Sequence, residues 1–272
     1  MYRSVFFHAL VILSLSNGAL DAAASKIFAS IDDVPQAVWD QLAEKKIFFG
    51  HQSVGYNILD GVEQLKHKYP QIRLTVIESR TAPKSNDGML LHAPVGQNMH
   101  PVTKINDFAE LMNSGLGSEM DAAFFKFCYI DFNPGTDVDK VFNAYTEQIE
   151  QIRRKNPKLR LIHVTAPLTA MQGGLKGFIK KIIGKPLEGY DDNKVRARFN
   201  KMLVDKYSGQ DPIFDLATVE STYPDGKREF FDSDGEKIYA MVSDYTDDGG
   251  HLNKTGQLFV AEKFLLFLAN TL

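Results

Sequence analysis

Short apolar runs alternate along this chain with longer stretches in which apolar residues recur every three or four positions. Five runs, KIFFG (46–50), IRLTVIES (72–79), AAFFKFCYI (122–130), LRLIHVTA (159–166) and PIFDLA (212–217), are bounded by turn residues and read as buried strands. Between them residues 56–69 carry an apolar stripe at Ile58, Leu59, Val62 and Leu65, and residues 138–154 carry one at Val141, Phe142, Tyr145, Ile149 and Ile152. That spacing predicts amphipathic helices. Residues 193–207 repeat the pattern, and KTGQLFVAEKFLLFLANTL closes the chain as a strongly apolar helix.

Parallel strands need crossover connections, so strand-helix alternation predicts an α/β fold, a parallel sheet covered by helices on both faces. Ligands bind such folds outside the carboxyl ends of the strands. That rule selects Ser53, the 80–101 loop, Asp131 with Asn133, the 167–191 loop, and the segment before the last helix. The stretch 218–246 breaks the alternation with two Asp-Gly turns, as expected of a small hairpin near the site mouth. Its DSDG lacks the later ligands of a calcium loop and reads as a plain turn.

At the amino end Arg3 precedes an apolar run from Val5 to Leu15, then small residues to Ala24. This predicts a secretory signal over residues 1–24, too short for a span of roughly 20 apolar residues, with one α/β domain over 25–272; an uncleaved membrane anchor is the alternative. An exported chain with the single cysteine Cys128 has no internal disulfide and must be held by core packing. A bacterial periplasmic or secreted location follows from that reading. The net charge of -3 carries no nucleic-acid footprint. The one basic patch, Lys176, Lys180, Lys181 and Lys185, sits in a stretch that reads as a short amphipathic helix with its lysines in water, contact with a membrane surface or an anionic glycan being the alternative.

Ser53 follows the first strand and opens the first long helix in IFFGHQSVGYNI. A serine there can cap the helix, or it can be a nucleophile beside amides that hold a developing negative charge. A nucleophile needs a base, and YTDDGGHLNKTGQ supplies one before the last helix: Asp248 stands three residues ahead of His251, close enough to reach back to Nδ1 while Nε2 faces a serine. The alternative is a surface turn in which Asn253 caps the helix.

A serine after strand one, an α/β alternation and a terminal Asp-x-x-His before the last helix together resemble the SGNH, or GDSL, hydrolase superfamily over nearly the whole chain beyond the leader. The resemblance implies a three-layer α/β/α sandwich with five parallel strands in a flavodoxin-like order. It implies a serine esterase working through an acyl-enzyme on Ser53, His251 and Asp248, with no cofactor and no metal. HAPVGQNMH resembles the family's glycine block and nominates the Gly96 amide for the oxyanion hole. At the next block the chain reads CYIDFN: Ile130 stands where the family has its oxyanion asparagine, and Asp131 alone is in register. The second donor stays open among Asn133, Gln52, Gln97 and Asn98.

The substrate class implied is an ester on a small molecule or carbohydrate, an O-acetyl sugar of an envelope polysaccharide among them. His51 could orient substrate, or join His251, Asp131 and Asp248 around a metal. His163 reads as a satisfied core histidine, and His92 and His100 as flanking Gly96 on a loop. A noncatalytic polysaccharide-binding or assembly protein on the same scaffold and a metal-dependent hydrolase are the rival readings.

Overall fold

The computed structural model describes residues 27–171 and 189–272. The expected leader and the lysine-rich stretch at 173–186 lie outside the described residues. KIFFG becomes β1 (Lys46–His51), flanked in parallel by β3 (Met89–Pro94) and β4 (Ala122–Phe125). β2 (Val76–Glu78) pairs with β3, and β5 (Arg160–Leu161) with β4, so five parallel strands lie in the order β2-β3-β1-β4-β5. Just beyond β5, β6 (His163–Val164) pairs in parallel with β7 (Ile213–Phe214).

The two-residue period of a strand divides these residues between two cores. Ile47, Phe49, Leu90 and Phe124 face one, with α1 (Gln36–Ala43), α2 (Val54–Lys68) and the carboxyl-terminal helix. Phe48, Leu91 and Phe125 face the other, with α3 (Pro101–Leu111), α5 (Val138–Lys155) and α6 (Tyr190–Tyr207). Between α3 and β4 the chain makes a π-helical turn at Met112–Leu116 and one turn of helix, α4 (Gly117–Glu119). After β7 come α7 (Leu216–Ser221) and finally α8 (Lys254–Thr271). The result is the expected three-layer α/β/α sandwich. Burial of each large apolar side chain contributes roughly 1.5–3 kcal/mol, and Cys128 is a buried free thiol.

The strand assignments differ from the sequence reading in detail. MLLHAP, inside the stretch expected to be a loop, is β3 and separates β2 from β1. Its turn-forming surroundings (Asn86, Asp87, Gly88, Gly96) hid a short run buried on both faces. The expected strand 72–79 contracts to three residues at the sheet edge. The run 212–217 breaks because the Asp215 side chain accepts from Thr218 N and starts α7. The hairpin is present as β8 (Phe230–Ser233) and β9 (Glu236–Tyr239), turning at Asp234 and Gly235 with positive φ at both. It packs on α6, with Tyr190 and Phe231 rings 4.6 Å apart.

The contact that matters most for the site is α2 on α8. A Cβ at Gly61 would lie 2.2 Å from the Gln257 carbonyl oxygen, so the two backbones touch and only glycine fits. Gln64 Nε2 donates to Gln257 Oε1 at 3.1 Å and Leu252 N to Asn57 Oδ1 at 3.3 Å. The helix after Ser53 and the helix after His251 are thereby locked together. Among the described residues no helix is long and apolar enough to cross a membrane.

Candidate active site

β1 ends at His51, and the chain turns sharply into α2 through Ser53, which has φ 46° and ψ -104°. A non-glycine residue at positive φ costs on the order of 1–3 kcal/mol, and such strain persists only where surrounding structure enforces it. Although Ser53 occupies the helix N-cap position, its side chain makes no capping bond. Its Oγ lies 2.5 Å from His251 Nε2 instead.

His251 Nδ1 lies 2.7 Å from Asp248 Oδ2, and Asp248 Oδ1 accepts from the amides of Gly250 (2.9 Å) and His251 (2.8 Å). Partial burial works against the charged carboxylate, but those two amides and the imidazole outweigh it and hold Asp248 far below the usual carboxylate range. The acceptor next to Nδ1 assigns the proton there, leaving Nε2 free to accept the serine proton. Asn253 does cap α8, accepting from Thr255 and Gly256 amides at 3.1 Å each. The capping asparagine and the histidine-aspartate pair therefore coexist on one loop.

The nominated oxyanion groups are placed otherwise than expected. Gly96 N donates to Asp107 Oδ2 at 2.8 Å, so the Gly96 amide is unavailable to a substrate. Gly96 serves packing: it has φ 55°, and a Cβ there would lie 2.4 Å from Lys104 N. Gln52 is also engaged, its Nε2 donating to Val95 O (3.3 Å) and Gly96 O (2.8 Å), which ties the 95–99 loop to the residue before Ser53. Asp131 is no substrate contact, because it is buried against Lys104 (Nζ to Oδ2 2.5 Å) and accepts from Met99 N and Cys128 N. Asn133 Oδ1 accepts from Gly135 N at 2.9 Å in a local turn, on the wall of a cavity. Asn98 is exposed, with Oδ1 accepting from Lys104 Nζ at 2.8 Å. Among the described residues nothing accepts from the Ser53 or Asn98 backbone amides.

His51 cannot orient substrate. It is fully buried under the first turn of α2, with Nε2 3.0 Å from Nδ1 of His92, which is itself on β3 rather than a loop. Burial foremost, then the charges of Lys126 and His92, pushes the His51 ring down to about 2, so it is neutral. Among the described residues no three or more His, Cys, Asp or Glu side chains are grouped to hold a metal ion, so the His51, Asp131 and His251 cluster is not assembled.

A cavity of about 350 Å³ opens beside Asp248 and Gly250 and is walled by Tyr129, Asn133, Thr169 and Arg196. Tyr129 presents its ring edge to His251, centroids 5.5 Å apart. Arg196 is buried yet among the described residues meets no carboxylate directly: Nε and Nη2 donate to the Tyr129 carbonyl at 3.0 and 2.7 Å, and Nη1 to Thr169 Oγ1 and Asn193 Oδ1. Burial pushes Arg196 down to about 10. Sequence reasoning missed Arg196 and Lys104, although each interrupts the apolar face of its helix, Lys104 one turn before Phe108 and Arg196 three residues before Phe199. A cation on a buried stripe was the available signal.

No family model matches the chain, and no curated protein matches it. Solved structures do resemble it. They include a protein provisionally described as a platelet activating factor from Streptococcus pneumonia (14% identity, 86% of this chain and 90% of that one, TM-score 0.49). A protein provisionally described as a lipolytic protein of the G-D-S-L family, from Desulfitobacterium hafniense DCB-2, is 10% identical over 81% of this chain and 97% of that one, TM-score 0.45. A carbohydrate esterase family 3 structure from Talaromyces cellulolyticus is 12% identical over 80% and 92%, TM-score 0.43. At such identities these likenesses assign no residue a role.

Proposed function

We propose that the protein is an exported serine esterase of the SGNH type. Ser53 Oγ attacks the ester carbonyl while His251 Nε2 takes its proton, and Asp248 stabilises the imidazolium at Nδ1. The tetrahedral oxyanion forms over the amino end of α2, where the Ser53 amide has no other acceptor among the described residues. Collapse expels the alcohol with the proton from Nε2, and a water activated by the same nitrogen releases the acid and restores Ser53. The single observation carrying this reading is the 2.5 Å approach of Ser53 Oγ to His251 Nε2, backed by Asp248 at 2.7 Å.

The cavity lies on the Asp248 side rather than over Ser53 Oγ, so it would receive the part of the substrate remote from the reacting bond. Its mixed wall, an aromatic ring beside amide, hydroxyl and guanidinium groups, suits a polar ring such as a sugar bearing an O-acyl group. A fluorophosphonate probe should label the wild-type serine covalently and leave Ser53→Ala unlabelled with its thermal unfolding intact. Well-folded wild type that takes no label would favour the noncatalytic binding protein instead.

A further inference from the structure

The chemistry above needs a second oxyanion donor, and Gly96, with its amide on Asp107, does not supply one. Resting on that reading, we infer that the Asn98 side-chain amide is the second donor and that the buried Lys104–Asp131 pair is the device that aims it.

A lysine ammonium only donates, so the Asn98 atom facing Lys104 Nζ at 2.8 Å must be its carbonyl oxygen. The planar amide then turns Nδ2 away from α3, and among the described residues nothing accepts from it. Lys104 and Asp131 are both fully buried, while Asn98 above them faces solvent. Taking such a pair out of water costs several kcal/mol per ion, and an apolar pair of similar volume is often as stable or more so. The ion pair itself is therefore weak ground for stability, whereas it can orient and polarise an amide.

The surrounding bonds tie the loop that bears Asn98 to the turn that bears the nucleophile. Gln52 Nε2 holds the Gly96 carbonyl at 2.8 Å, joining the loop to the residue before Ser53. Met99 N donates to Asp131 Oδ1 at 2.9 Å, joining it to the turn whose Tyr129 abuts His251. Met99 sits at φ 66°, so this bond maintains a conformation that an apolar side chain avoids. The loop is thus strung between the nucleophile's turn and the histidine's neighbour.

With p-nitrophenyl acetate as probe, Asn98→Ala should lower kcat about a hundred- to a thousandfold with KM little changed. Asn98→Asp separates the donor role from a structural one. An aspartate keeps the contact to Lys104 but offers no N–H, so its kcat should be as low as that of the alanine variant. Lys104→Met should match the Asn98→Ala loss, and adding it to Asn98→Ala should cost no more than about threefold further, because the two act as one unit. Asn98→Ala or Asn98→Asp turning over near the wild-type rate would overturn the donor assignment while fluorophosphonate labelling of Ser53 kept the esterase reading. Losses at Asn98 and Lys104 that multiply would overturn the aiming role. Wild type without labelling or turnover would sink the esterase reading itself. Asn98 is exposed, so its variants answer even if Lys104→Met does not fold.

Discussion

His251 Nδ1 meets Asp248 Oδ2 at 2.7 Å on an open loop, whereas His163 Nε2 meets Asp211 Oδ2 at 3.1 Å inside the protein. The first pair is half exposed, with side chains 45% and 56% accessible, against 0% and 9% for the second. The second nitrogen decides what each can do. His251 turns Nε2 to a serine hydroxyl, while His163 Nδ1 is closed off by Tyr145 OH at 2.6 Å and the ring is stacked on Tyr207 at 3.7 Å. Burial pushes His163 down to about 4 in spite of Asp211, and that carboxylate is shared with Arg153 at 2.6 Å. A histidine-aspartate pair becomes a base only where its far nitrogen faces a nucleophile that substrate can reach.

The largest effect expected to sharpen this contrast is at Asp248. Asp248→Asn should lower kcat on the order of 10,000-fold, since the imidazole loses its tautomer and its counter-charge. Thermal unfolding should hardly move, because both side chains are exposed. Ester-hydrolysis kinetics beside a melting curve reads both.

The same substitution at Asp211 should invert the pattern. Turnover stays within about threefold of wild type, and stability falls by about 1–3 kcal/mol as buried and half-buried partners lose a charge-assisted bond. Denaturant titration measures it, and a kcat loss at Asp211 comparable to that at Asp248 would break the comparison.

Glu220 separates the effect of burial from that of an ion pair. Burial raises its carboxyl to about 8, against the opposing pull of the Leu168 amide, Lys126 and Arg196, while among the described residues Oε1 has no partner. Asp211 experiences burial too, but its bonds to Arg153 and His163 prevail and lower it. Between the unfolded value of about 4.3 and about 8 the folded state holds a proton on Glu220 that the unfolded chain has lost. Stability contributed by this group therefore falls as pH rises through that window and levels off above it. Glu220→Gln should remove that decline, read as the difference between variant and wild-type unfolding midpoints at pH 5, 6.5 and 8. Parallel curves would refute it.

Much of this site was legible in one dimension. Ser53 after an apolar run and Asp248 three residues before His251 are local patterns, and the order of these pieces along an α/β chain restricts where they can lie. The donors were not legible. Whether Gly96 offers its amide depends on Asp107 of α3 folding back onto it, and whether His51 is a ligand or a core residue depends on the His92 ring opposite. Neither fact leaves a periodic trace. Lys104 and Arg196 did leave one, as charges on apolar helical faces.

The alternation of short apolar runs with helical stripes by itself determined the layered fold and put Ser53 and the Asp248–His251 loop at helix starts, because backbone periodicity is written residue by residue. Only the tertiary structure decided that α2 and α8 touch at Gly61 and Gln257, bringing a hydroxyl and an imidazole 198 residues apart to 2.5 Å. It also decided which amides remain free, since a hydrogen-bond donor has one partner at a time and that partner comes from elsewhere in the chain.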